Sequence, residues 1–131
     1  MCYTDLKLKF EVRKEQVMPF IDTKLNIRLS KEKEAVLKAK LAEAISLFPG
    51  KSEYWLMLNF TDNCRMWFRG YDSFPIAMVE IKLFGGADEA TCEKMTQTVC
   101  ELFHKELDIS PDHVYVKYEF SDRWGWNGEN F

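Results

Sequence analysis

The sequence predicts an α+β fold in which one strand–helix–strand unit occurs twice, giving a four-stranded sheet with two helices on one face. Three observations carry this. Two helix-capping residues, Ser30 and Asp88, stand 58 residues apart. Each precedes apolar residues at helical spacing. Each helix is flanked by strand-like apolar runs.

Residues 1–18 come first and are compositionally odd. Leu6, Leu8, Phe10 and Val12 alternate with Lys7, Lys9, Glu11 and Arg13, a pattern that fits an extra edge strand. A different reading treats this segment as lying upstream of the true start. Lys14-Glu15 can be encoded by AAGGAG, a bacterial ribosome-binding sequence, and Gln16 and Val17 then separate it from Met18. Met18-Pro19 favours the second reading, so residues 1–18 are expected to be a mis-assigned start or an extension, and 19–131 the domain.

The first predicted strand runs from Phe20 to Asn26. Ser30 caps a helix carrying Leu37, Leu41, Ala44, Ile45 and Phe48 on one stripe. Pro49-Gly50 stops it. A strand over Tyr54 to Phe60, a turn at Asp62-Asn63 and a short aromatic strand over Met66 to Phe68 complete the first unit. The second opens with a strand from Ile76 to Phe84, closed by Gly85-Gly86. Asp88 caps a helix with Met95, Val99, Leu102, Phe103 and Leu107 on its stripe. Ser110-Pro111-Asp112 then turns the chain into a strand from Val114 to Phe120. Right-handed crossovers make the two strands of each unit parallel. Trp55, Met57, Ile81 and Leu83 interleave with Tyr54, Leu56, Leu58 and Met78, so both sheet faces are expected to be apolar. The face without helices would then need covering by other subunits.

Composition narrows the function. The 131 residues are 47% hydrophobic and 15% aromatic, enough for one compact core. A net charge of −3 gives no electrostatic case for nucleic acid. No apolar stretch reaches the roughly 18 residues of a membrane span, and no signal peptide opens the chain. Cys2, Cys64, Cys92 and Cys100 form no metal pattern with His104 and His113, so free thiols in a reducing cytoplasm are expected. Neither metal nor cofactor is expected.

Pro19 is the residue with chemical potential. Inside a chain its nitrogen is an amide without basicity. At a chain terminus it is a secondary amine, and α-amino groups titrate near about 7.7–8.0. Apolar or cationic surroundings lower that value further, leaving a general base poised near neutrality.

Pro19-Phe20-Ile21, Gly50-Lys51, Phe84-Gly85-Gly86, Ile109 to Tyr115 (Ile-Ser-Pro-Asp-His-Val-Tyr), and Trp126-Asn127 with terminal Phe131 resemble the macrophage migration inhibitory factor family of the tautomerase superfamily. The resemblance runs from Pro19 to Phe131. It implies a homotrimer whose sheets form a central barrel, with active sites between subunits, and keto–enol tautomerisation of phenylpyruvate-like α-keto acids. It implies Pro19 as catalytic base and Lys51 as the cation for the substrate carboxylate. The backbone N–H of Ile81 would be a second donor, Tyr115 would come from the adjacent subunit, and Trp126 and Phe131 would wall the pocket.

Three departures from the family pattern stand out. Lys117 occupies the place of a pocket asparagine, so it either faces the substrate or is a solvent-facing strand lysine. Trp124 replaces a smaller apolar residue and would narrow the pocket. Phe74-Pro75-Ile76-Ala77 lacks the Cys-x-x-Cys pair of some members, removing the basis for thiol–disulfide exchange. Two other functions remain open. One is a cytokine-like signalling protein that retains the pocket, released from cells without a signal peptide. The other is a catalytically silent trimer in which the extension blocks Pro19.

Overall fold

A computed structural model describes residues 18–130; the alternating segment at 1–17 and Phe131 lie outside the described residues. Strand β1 (Phe20–Leu25) leads to helix α1 (Lys31–Ala44) and strand β2 (Met57–Thr61). Strand β3 (Ala77–Phe84), helix α2 (Glu89–Leu107) and strand β4 (Val114–Ser121) repeat the pattern. A small hairpin of β5 (Gly125–Trp126) and β6 (Glu129–Asn130) follows.

Both predicted caps form. Ser30 accepts from the Lys33 N–H at 3.2 Å and Asp88 from the Thr91 N–H at 2.7 Å. Each satisfies a backbone donor that the first helical turn leaves without a partner. Helix α2 ends where Asp108 adopts a left-handed conformation (φ 55°). That bend returns the Asp108 N–H to the His104 carbonyl and sends buried Ile109 beneath the helix.

The sheet order is β2-β1-β3-β4. Strand β1 runs parallel to β2, and β3 parallel to β4, as the crossover argument requires. The two units meet through the antiparallel pair β1/β3, in register Phe20 with Lys82 and Ile21 with Ile81. The Asn26 side chain clasps the second unit, donating to the Phe74 carbonyl at 2.8 Å and accepting from the Ile76 N–H at 2.7 Å.

The core fills the space between sheet and helices. Ile21 and Leu25 of β1 and Val79, Ile81 and Leu83 of β3 meet Leu37, Leu41 and Ile45 from the first helical segment and Met95, Val99 and Phe103 of α2. All are fully buried. Each such side chain contributes about 1.5–3 kcal/mol of burial.

The far face corrects one expectation. It is not uniformly apolar. Ile81 and Leu83 share the parity of Val79 and point to the helices, because successive strand residues alternate between faces. The even positions Asp22, Lys24, Glu80 and Lys82 face away, joined by Asn59 of β2 and by Lys117 and Glu119 of β4. They form a charged lattice: Asn59 donates to Asp22 at 2.8 Å, and Lys24 stands 3.6 Å from Asp22 and 3.8 Å from Glu80. Apolar side chains of the same face, Met57 of β2 beside Phe20 and Tyr115 of β4 beside Met78, flank this lattice, and further exposed aromatics, Tyr54, Trp67 and Tyr71, lie on the loops.

Smaller differences concern boundaries. Residues Glu53–Trp55 form a 3₁₀ turn and β2 starts only at Met57. The segment expected as a strand over Met66 to Phe68 contributes a single bridge, Phe68 to Tyr71. Cys64, Cys92 and Cys100 are free and half-buried. Among the described residues, no helix is long and apolar enough to cross a membrane.

Candidate active site

Pro19 enters β1 buried, and its carbonyl accepts the Met57 N–H at 3.0 Å, which ties the start of β1 to β2. Beside it opens a cavity of about 500 Å³ between the start of β1, the Glu53–Trp55 turn and the segment leading into β5. Its walls are mostly aromatic: Phe20, Tyr54, Trp55, Trp124 and Trp126. Trp55 meets Trp126 edge to face at 5.1 Å and Tyr54 at 4.9 Å. Among the described residues, no carboxylate or cationic side chain lines it. A slightly larger groove, about 560 Å³, lies between α1 and β2 against Lys31, Lys38 and Leu58. It shares Leu56 with the first cavity but does not include Pro19, and among the described residues its titratable lining is Lys31, Lys38 and Glu34.

The C-terminal hairpin places two walls of the cavity. Asn127 and Gly128 both have positive φ (55° and 80°), the requirement of a tight two-residue hairpin turn. At Gly125 a Cβ would stand 2.7 Å from Asn130 Oδ1, so a larger residue there would make the Asn130 side chain move aside. Trp124 and Trp126 are thereby held on either side of Gly125.

Lys51 follows Gly50, whose positive φ (77°) turns the chain after α1. Its ammonium donates to the Phe84 carbonyl at 3.3 Å and lies 5.9 Å from the Phe84 ring centroid. Burial pulls its pKa below the usual lysine value. The β1/β3 register pairs Phe20 with Lys82, so Pro19, one residue back, falls opposite Leu83 and next to Phe84. Lys51 and Pro19 therefore share one end of the sheet, although Lys51 is not part of the cavity wall.

The other expected residues lie elsewhere. Ile81 is inside β3, paired with Ile21 and Tyr118, with its side chain in the core. Tyr115 stands opposite Met78, which stands opposite Lys24, so it is two strands across and five residues along from Pro19. At about 3.3 Å per residue and 4.8 Å per strand, that separation is roughly 19 Å. Phe68 packs edge-on against Tyr115 at 5.3 Å. Lys117, on the same strand face, pairs with Glu119 at 3.3 Å. Phe131 lies outside the described residues. Of the expected residues, the cavity thus collects Pro19 and Trp126, together with Trp124.

Sequence reasoning missed Phe20, Tyr54 and Trp55 as cavity walls, and Met18, which also lines it. Met18 is buried with φ 92°, a conformation costing an L-residue roughly 1–2 kcal/mol. Asn127-Gly128 was the available signal for the hairpin.

The model of the family described as macrophage migration inhibitory factor (MIF) matches residues 18–131. The macrophage migration inhibitory factor of Meriones unguiculatus is 27% identical over 116 residues, covering 87% of this chain and 99% of the relative. That of Rattus norvegicus gives the same identity and coverage. Among solved structures, Leishmania major MIF2 is 30% identical with a TM-score of 0.80, covering 88% of this chain and 98% of its own. The homologue from Prochlorococcus marinus is 28% identical with a TM-score of 0.69, covering 86% and 98%.

Proposed function

This chain belongs to the macrophage migration inhibitory factor family, and we propose on that premise that it is a keto–enol tautomerase of phenylpyruvate-like α-keto acids with the Pro19 amine as general base. The observation that carries the reading is the position of Pro19: buried beside an aromatic cavity of about 500 Å³ that, among the described residues, contains no carboxylate to compete as base.

The chemistry follows from those surroundings. The neutral amine of Pro19 takes a proton from the carbon adjacent to the ketone. The C–H electrons form the C=C bond and the carbonyl π electrons move to oxygen. The proton held on the amine is then delivered to that oxygen, giving the enol, and the reverse sequence regenerates the ketone. An apolar cavity keeps the amine neutral near pH 7, because burial disfavours its charged form. Lys51 binds the substrate carboxylate, the Ile81 N–H serves as a second donor, and Trp126 and Phe131 hold the aryl ring against the cavity wall.

Tyr115 joins the site from another copy of the chain, since roughly 19 Å separates it from Pro19 within one copy. A homotrimer is the assembly proposed. Its support is the family membership together with the exposed Tyr54 and Met57 at the β2 side of the sheet and Tyr115 on β4.

The active form begins at Pro19. A peptide bond from Met18 delocalises the nitrogen lone pair and abolishes its basicity, while the Met18 side chain occupies the cavity wall. The test compares a chain beginning at Pro19 with the 131-residue chain, following ketonisation of phenylpyruvate enol by absorbance. The short form is expected to be active and the long form inactive. Equal specific activity from the long form, with intact mass verified after the assay, would refute Pro19 as the base.

A further inference from the structure

We infer that Lys82 is a second substrate-binding cation, which makes 2-oxo dicarboxylates ligands of the Pro19 site. This rests on the tautomerase reading and extends it to a substrate class.

Lys82 is the direct cross-strand partner of Phe20, the residue bonded to Pro19. Its ammonium lies 5.6 Å from the Phe20 ring centroid, and that ring is also a wall of the cavity. Partners in register project from the same sheet face, so Lys82 stands at the Pro19 end on the face turned away from the helices. Lys51 reaches the same end through the Phe84 carbonyl, two residues further along β3. Two cations therefore stand at the end of the sheet where the cavity opens, and among the described residues no charged side chain lines that cavity.

The carboxylates near Lys82 are more closely engaged with other lysines. Glu80 reaches Lys82 only at 4.0 Å and lies 3.8 Å from Lys24. Glu119, opposite Lys82 on β4, pairs with Lys117 at 3.3 Å. A long ion pair and a partly exposed cation–π contact are each worth only a few-fold in affinity. A charge-assisted hydrogen bond to an entering carboxylate is worth about one to two decades. Lys82 can therefore leave the Phe20 ring for a ligand anion, its four-carbon stem supplying the reach. Lys51 then takes the carboxylate beside the ketone and Lys82 the distal one.

The test uses the chain beginning at Pro19, which contains every described element of the fold and corresponds to relatives matched over 99% of their length. Calorimetric titration compares 2-oxoglutarate with 2-oxopentanoate, which differ by one terminal carboxylate. The dicarboxylate is expected to bind about tenfold more tightly or better. Lys82→Gln should reduce that ratio below about threefold, and Lys82→Arg should retain it. No preference in the unsubstituted protein, or a preference that survives Lys82→Gln, overturns the inference. Phenylpyruvate turnover separates the two readings: turnover without a Lys82-dependent preference sinks only this inference, whereas absence of turnover sinks the tautomerase reading with it.

Discussion

The ammonium of Lys51 hydrogen-bonds to the carbonyl of Phe84, joining the chain just after α1 to the last residue of β3. A lysine anchored there keeps a positive charge at the end of the sheet where Pro19 begins β1. Lys51→Ala is expected to raise KM for phenylpyruvate and lower kcat/KM by about one to two decades, the worth of a charge-assisted hydrogen bond. Steady-state kinetics of the form beginning at Pro19 check this. Unchanged constants would reduce Lys51 to a structural tie.

The same burial predicts a pH effect. Lys51 loses its proton at a lower pH than an ordinary lysine, because burial disfavours the charged form. Only the protonated side chain binds a carboxylate. KM should therefore be low at neutral pH and rise on the alkaline side before the ordinary lysine range of about 10.4 is reached. In Lys51→Ala this limb should vanish. Persistence of the limb in that variant would assign it to another group.

Tyr115 and Pro19 sit at opposite ends of one sheet. Native mass spectrometry should find three chains per particle. Mixing Tyr115→Ala chains with Pro19→Gly chains under exchange should create fully competent sites, about a quarter of the total at equal mixing, which neither separate preparation contains, because a site free of both defects forms only if the two residues come from different copies. A stable monomer at micromolar concentration would remove Tyr115 from the site.

Replacing the base tests geometry against chemistry. Pro19→Gly in the short form leaves a terminal primary amine but no ring to fix its direction. Activity should fall by about two to four decades, the range attributed to a positioned acid–base group, without disappearing. Wild-type activity in this variant would mean that proton transfer occurs elsewhere.

Lys117 offers a narrower test. It pairs with Glu119 on the charged face, two strands away from Pro19. If it faces the substrate, Lys117→Asn should lower activity on ring-anionic substrates several-fold more than on phenylpyruvate. An equal effect on both would leave it as a strand-surface lysine.

Local signals were legible in the sequence. Ser30 and Asp88 declared both helix starts, and the parallel pairing within each unit followed from crossover handedness. What needed strand register was not legible. Ile81 and Met78 look alike as apolar letters, yet their parity sends one to the core and the other to the far face. Trp55 resembled a strand residue and instead sits in a 3₁₀ turn that builds the cavity wall. Lys82 carries no local mark at all; only its pairing with Phe20 brings it to the site.

The internal repeat has a consequence for how many reactive centres such a chain can carry. Two units share one polypeptide, and a polypeptide has a single amino terminus. The second unit begins its first strand at Ala77, whose nitrogen is an amide in mid-chain. It can copy the strand, the helix and the return strand of the first unit, but never a terminal amine. If a terminal amine is the base, two such units in one chain carry one site between them, and the second unit's corresponding end is free of that chemistry.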